Sequence, residues 1–275
     1  MNVHKNSYFA DRFLDDSYSE ETRRHVTTLT IARLTSNACF RYAPPFLASI
    51  SDDFQISLSR LGLALMITEI AMGISPVLGR FVDRMHRRTA MAGGLLAISG
   101  AATIAAASPS VWIFVLGMLL IAVAKFIFDI GLASWVNDHV EYEKRGRVIG
   151  FTETSWALGL LIGVTAMGLV ASATSWRWGY AVGAISVAVM AIVVMTRLDG
   201  HDVAGSQRSK DTTKYPMPRH GYWIFAAMFF LMAASQTLFV TFGSWLEDEF
   251  GFTEAGISAV VFGLGAFELL ASVTS

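Results

Sequence analysis

The sequence holds one cysteine, six prolines and few charges: Asp, Glu, Lys and Arg together make up 16% of 275 residues. A lone Cys39 excludes an intramolecular disulfide and tells nothing of redox compartment. A cleavable leader is also lacking, because the first 25 residues are polar and charged with no short apolar core. His25, His86, His139, His201 and His220 fall in loops or at the ends of apolar runs, without metal-ligand spacing. Neither Gly-x-Ser-x-Gly nor a phosphate-binding loop occurs, so no enzyme reading is supported and no metal or bound cofactor is expected. The net charge of −1 excludes little, since the charges are sorted by segment rather than spread.

What the chain has instead is apolar sequence. Hydrophobic residues make up 53% of it, too much for one soluble core of this length. Apolar runs of 18 residues or more recur, each long enough to cross roughly 30 Å of hydrocarbon. They predict an all-α, polytopic transmembrane protein with spans near 28–50, 60–82, 89–108, 111–136, 148–171, 177–196, 222–246 and 255–275. The connections alternate in charge. Arg23 and Arg24 precede the first span, Arg84, Arg87 and Arg88 follow the second, Lys144, Arg145 and Arg147 the fourth, and Arg208, Lys210 and Lys214 the sixth. The other side is acidic, with Asp52, Asp53, Glu247, Asp248, Glu249 and Glu254. This bias puts the N-terminus in the cytoplasm of a multi-pass protein in a plasma (inner) membrane. Trp112, Trp135, Trp176, Trp178 and Trp223, near span ends, read as interfacial anchors. The basic loops are explained by topology, so no nucleic acid is expected as partner.

The organisation follows: residues 1–26 a polar cytoplasmic arm, 27–196 a six-helix block, 197–221 a polar linker with Gly200, Gly205, Pro216 and Pro218, and 222–275 two further helices. An internal repeat relates the blocks. Asp52-Asp53-Phe54-Gln55-Ile56-Ser57 leads into the second span, and Asp248-Glu249-Phe250-Gly251-Phe252-Thr253 leads into the eighth in the same register. Acidic outer loops ending in hydroxyl caps are also common on their own. Pro44-Pro45 in the first span marks a kink or broken turn.

Gly79-Arg80-Phe81-Val82-Asp83-Arg84-Met85-His86-Arg87-Arg88 forms a tight basic turn between two apolar runs. It resembles the loop between helices 2 and 3 of the major facilitator superfamily, Gly-x-Leu-Ala-Asp-Arg-x-Gly-Arg-Arg. Gly79, Asp83, Arg84, Arg87 and Arg88 match, whereas Phe81, Val82 and His86 depart from it. In the fifth span Gly150, Gly159, Gly163 and Gly168 match most of that superfamily's antiporter pattern, Gly-x8-Gly-x3-Gly-Pro-x-x-Gly-Gly. Val164 stands in place of the Pro and Met167 in place of the penultimate Gly, which weakens the bend and the exporter assignment tied to it. Such glycines allow close helix approach. The resemblance implies a two-block helical bundle around a central cavity. It also implies that Asp83 caps a helix of the opposite block and that the arginines hold a cytoplasmic gate. Only two helices of the second block are present before Ser275, inside an apolar run, so a missing C-terminal half is expected to be needed for a complete transporter.

Ionisable residues inside spans are costly and therefore informative. They are Arg33 and Arg41 in the first span, Glu69 in the second, Lys125 and Asp129 in the fourth, Glu153 in the fifth and Glu268 in the eighth. The resemblance places all of these helices around the cavity. Lys125 and Asp129, four apart, share a helix face; they either neutralise each other for insertion or form part of a site. At 1.5 Å per residue Asp129 lies roughly 10 Å from the cytoplasmic end, and Glu153 lies at a similar depth on a helix running the other way. Asp129, Glu153, Lys125 and Glu69 are thus the proton-coupling candidates, the two acids forming a protonatable pair balanced by Lys125. Arg41 is the candidate for an anionic substrate group and a counter-ion to Glu69. Glu268 either faces Glu69 across the cavity or makes a helix–helix hydrogen bond, the latter preferred near the end of the chain. Arg33 is read as snorkelling to the cytoplasmic interface. Trp156, beside Glu153, is a further cavity candidate.

These readings converge on a secondary transporter in the lipid bilayer, exporting small organic molecules with a proton gradient as its energy source. The alternative is a membrane sensor or an inactive remnant that keeps the half-bundle without turnover.

Overall fold

The computed structural model describes residues 14, 17–71, 79, 81–82, 84–198 and 218–274, with the side chains of 69–71, 219 and 272–274 outside that description. The elements are α1 (Glu20–Arg41), a 3-10 turn (Pro44–Phe46), α2 (Leu47–Asp53), α3 (Leu58–Ala71), α4 (Arg87–Ala106) and α5 (Val111–His139). There follow α6 (Tyr142–Leu158), a π-helical turn (Gly159–Val164), α7 (Thr165–Ala173), α8 (Trp176–Arg197), α9 (Arg219–Phe250) and α10 (Glu254–Thr274). No strand forms among the described residues. Among the described residues, six helices are long and apolar enough to cross a membrane: α4, α5, the continuous run Tyr142–Ala173, α8, α9 and α10. The second expected span begins as α3, and its residues 72–78 lie outside the description.

The first expected span is longer and more broken than its hydropathy suggested. Ser19 Oγ accepts the Thr22 amide at 3.0 Å, and Glu20 and Glu21 occupy the first turn, so the helix starts at Glu20 rather than beyond residue 26. The N-terminal arm is correspondingly shorter: His25 and Val26 are buried in α1, and Tyr18 donates to the Lys144 carbonyl. At the other end Pro44 and Pro45 lack amide hydrogens, and the chain passes through the 3-10 turn before resuming as α2.

The two acidic connections share a left-handed residue and a hydroxyl cap. Gln55 has φ 54° and Gly251 has φ 64°, the same left-handed residue at the same register of the repeat. Two residues on, Ser57 Oγ accepts from the Arg60 amide at 3.4 Å and Thr253 Oγ1 from the Gly256 amide at 3.3 Å. The sequence repeat is therefore a structural one, in which a left-handed residue ends one helix and a hydroxyl starts the next.

The core is built on α4, packed between α5 and α8. Small residues permit this, with Gly94 against the backbone of Ala124 and Phe128, and Gly117 against Ala101 and Ala105. α1 packs on α8, α5, α6 and the π turn. One end is closed by aromatic rings: Tyr42, Phe46, Phe54, Phe114, Trp176 and Tyr180 stack edge-on or tilted. Arg177 pins that end, bonding Asp53 and the Ser108 carbonyl while lying over Trp176. Trp112, Trp178 and Trp223 are exposed as anchors would be. Trp135 and Trp176 are instead buried at 2% and 3%, which corrects their reading as anchors: closeness to a helix end does not tell which side of the helix faces neighbours.

α9 and α10 meet the first block across the broken spans. Gly243 of α9 lies on the Pro45 carbonyl, while Gly265 and Ser258 of α10 lie on Leu161 and Gly168. The outward faces carry Ile185, Ile192, Leu96, Phe229 and Phe230, as expected of helices surrounded by lipid.

Candidate functional site

Along α1, Arg33, Asn37 and Arg41 recur every four residues and so share one face. That face is turned to α6 and α5. Arg33 Nη1 donates to Glu153 Oε1 at 2.7 Å, and its Nε to Asp129 Oδ1 at 3.3 Å. Lys125 Nζ donates to the other oxygen of Asp129, one helical turn away on α5. Two cations and two carboxylates thus form one chain of four groups from three helices, with no net charge. The side chains of Lys125 and Arg33 are 4% and 11% exposed, and those of Asp129 and Glu153 are 30% and 47% exposed. The buried cations are tolerable because each has a carboxylate partner.

This arrangement corrects one expectation and adds to another. Arg33 does not snorkel, but bonds both acids as a shared counter-ion. Lys125 pairs directly with Asp129, so Arg33 joins Lys125 in balancing the acid pair. Asn37, a residue the sequence reading missed, donates to Ser155 Oγ at 3.1 Å and holds α1 and α6 in register between the two arginines. The four-residue recurrence of polar residues in an apolar span was the available signal.

Arg41 ends the same face. Its Nη1 donates to the Trp156 carbonyl at 3.0 Å and to both oxygens of Glu268 at 3.1 and 3.3 Å. The guanidinium carbon lies 4.7 Å from the Phe239 ring centre and 5.4 Å from that of Trp156. The described carboxylate partner of Arg41 is therefore Glu268, where Glu69 was expected; the Glu69 side chain lies outside the described residues. The helix–helix contact of Glu268 is an ion pair between α1 and α10. Phe239, on α9, was not singled out in the sequence. Trp156 joins the two charged groups, since its ring centre is 5.4 Å from Lys125 Nζ as well.

The fifth-span glycines divide. A Cβ on Gly159 would meet Asn37 at 3.0 Å, one on Gly163 would overlap Ala38, and one on Gly168 would overlap Phe46 and Ser258. Gly159 and Gly163 let α1 approach the π turn, and Gly168 lets α10 approach α7. Gly150 has open space around its Cβ position and serves no such approach. The π turn occupies Gly159–Val164, ending where the expected Pro is missing, so a bulge in the helix stands where a kink was anticipated.

In the basic turn, Asp83 lies outside the described residues, Gly79 has no neighbour at its Cβ position, and Arg84 is exposed. Arg87 Nε donates to Asp138 Oδ2 at 2.8 Å, and Arg88 Nη1 to the Leu198 carbonyl at 3.2 Å. These two arginines tie the start of α4 to the ends of α5 and α8, within the first block.

The Major Facilitator Superfamily model matches residues 29–275. An uncharacterized MFS-type transporter, YwfA, of Bacillus subtilis (strain 168) is 26% identical over 232 residues, covering 80% of this chain and 56% of that protein. Multidrug resistance protein 2 of the same organism is 24% identical over 230 residues, covering 79% and 57%. Among solved structures, a bacterial homolog of the human lysosomal transporter Spinster superposes with a TM-score of 0.70 at 14% identity, covering 92% of this chain and 60% of that one. The chain thus spans a little over half the length of these relatives. With the paired connections, the packed glycines and the all-helical bundle, this match shows that the chain belongs to the major facilitator superfamily.

Proposed function

We propose that the protein is a proton-coupled secondary transporter that exports small organic molecules by alternating access, its two helix blocks rocking about a site between them. In this reading the first block runs from α1 to α8 (residues 20–197), a cytoplasmic linker follows it, and α9 and α10 open the second block, in a plasma (inner) membrane with the N-terminus in the cytoplasm. The observation that carries the proposal is the neutral cluster of Arg33, Lys125, Asp129 and Glu153. Glu153 is its most exposed member and the one a proton reaches first.

A proton on Glu153 cancels one negative charge and leaves Arg33 and Lys125 sharing Asp129. Surplus positive charge away from water is costly, and movement of α1 against α6 relieves it. Loss of the proton restores the pair and draws the helices together. Export and an organic substrate are supported by the name of the multidrug resistance relative. The test is proton movement into proteoliposomes during addition of a panel of drugs, sugars and organic anions. The expected result is compound-dependent proton flux in the native protein and its loss in Asp129→Asn and Glu153→Gln. Flux with unchanged pH dependence in both variants contradicts the assignment.

A further inference from the structure

The ion pair between Arg41 and Glu268 is lopsided. The guanidinium is held from three sides, by the Trp156 carbonyl, the Trp156 ring and the Phe239 ring, and its side chain is 13% exposed. The carboxylate side chain is 39% exposed, and both of its hydrogen bonds come from the one nitrogen Nη1 of Arg41. Among the described residues Nε and Nη2 of Arg41 make no hydrogen bond, so part of the guanidinium fork remains unused. When the pair opens, the group that leaves is Glu268. The buried cation stays and demands another anion, since an unpaired charge there is costly.

We infer that Arg41 is the receptor for an organic anion, and that Glu268 occupies its place when that ligand is absent. The fork offers two-point binding to a carboxylate or related oxyanion, which Glu268 uses only through Nη1. The rings of Phe239 and Trp156, with Phe40 set edge-on to Trp156, give the ligand body a flat apolar lining. The chemical class is therefore an aromatic or strongly apolar acid. The position adds a consequence. Arg41 belongs to α1 and Glu268 to α10, so an anion that takes the place of Glu268 cuts a bond between the two helix blocks as it binds. This part rests on the transport reading above and names its substrate class.

The test uses three probes of one shape, 1-naphthoate, 1-naphthamide and 1-naphthylmethylammonium, titrated calorimetrically into the purified protein in lipid nanodiscs, with empty nanodiscs subtracted. Native protein should favour the naphthoate over the other two by about ten-fold, and Glu268→Gln should tighten the naphthoate by about another ten-fold by removing its internal competitor. Arg41→Gln should abolish the preference. If that variant does not fold, Glu268→Gln and Phe239→Leu suffice, the latter weakening naphthoate more than acetate. Preference for the cation with loss in Glu268→Gln, equal binding of all three probes, or no binding by native and Glu268→Gln protein alike would each overturn the inference. Binding is read without flux, so absence of proton movement counts against the transport reading alone, and proton-coupled flux without anion preference counts against the Arg41 subsite alone.

Discussion

Arg33 and Glu153, 120 residues apart in sequence, meet through a 2.7 Å bond from Nη1 to Oε1, and the same guanidinium reaches Asp129 through Nε. One residue of α1 thereby joins α5 to α6, and its charge is the hinge of the buried cluster. Replacing Arg33 with Gln leaves two carboxylates with Lys125 as their one cation. Loss of one partner from a buried network is expected to cost about 3 kcal/mol of stability, seen as a lower unfolding temperature in detergent. Glu153→Gln should cost distinctly less, since its side chain is half-exposed.

Gly163 and Gly150 provide a paired test of helix approach. Gly163→Val forces a side chain into Ala38 of α1 and is expected to destabilise by about 1–3 kcal/mol, whereas Gly150→Val meets open space and should stay near the native value. Thermal unfolding of the two variants side by side checks this.

The left-handed positions of the repeat predict a reciprocal exchange. Gly251→Gln puts a side chain at φ 64° and should cost about 1 kcal/mol without preventing folding, because Gln55 already occupies the corresponding place. Gln55→Gly removes that steric cost while enlarging the entropy of the unfolded chain, so its net effect should be within about 0.5 kcal/mol. Denaturation midpoints of both variants decide the matter.

Cys39 is fully buried in α1 and is the sole thiol of the chain. A maleimide reagent should leave the folded protein unlabelled and modify it stoichiometrically once heat opens the bundle. Rapid labelling of folded protein, followed by mass spectrometry, would show that α1 is not packed as described.

Much of this architecture was legible because its signals are local. Hydropathy located six of the eight expected spans among the described residues, and a constant rise per residue put Asp129 and Glu153 at one depth on antiparallel helices, where Arg33 now joins them. Arg33 itself was misjudged because the first span was counted from residue 28. The helix starts at Glu20, so Arg33 lies roughly three and a half turns inside it, where Asp129 and Glu153 meet it. Trp135 and Trp176 were misread for a different reason: their fate depends on which face of a helix meets its neighbours. The pairing of Arg41 with Glu268 spans 227 residues and depends on how α10 seats against α1, which no local pattern specifies. The Gln55 and Gly251 connections are the opposite case, a six-residue pattern that repeats both its left-handed residue and its hydroxyl cap.

The central claim is that Glu153 takes up and releases the coupling proton beside Arg33. Infrared difference spectroscopy of the protein in lipid, between alkaline and acidic buffer, observes this directly through the C=O stretch of a protonated carboxylic acid. The account predicts a band that appears on acidification in native protein, is missing in Glu153→Gln, and shifts in position in Arg33→Lys. An identical band in native and Glu153→Gln protein would contradict it.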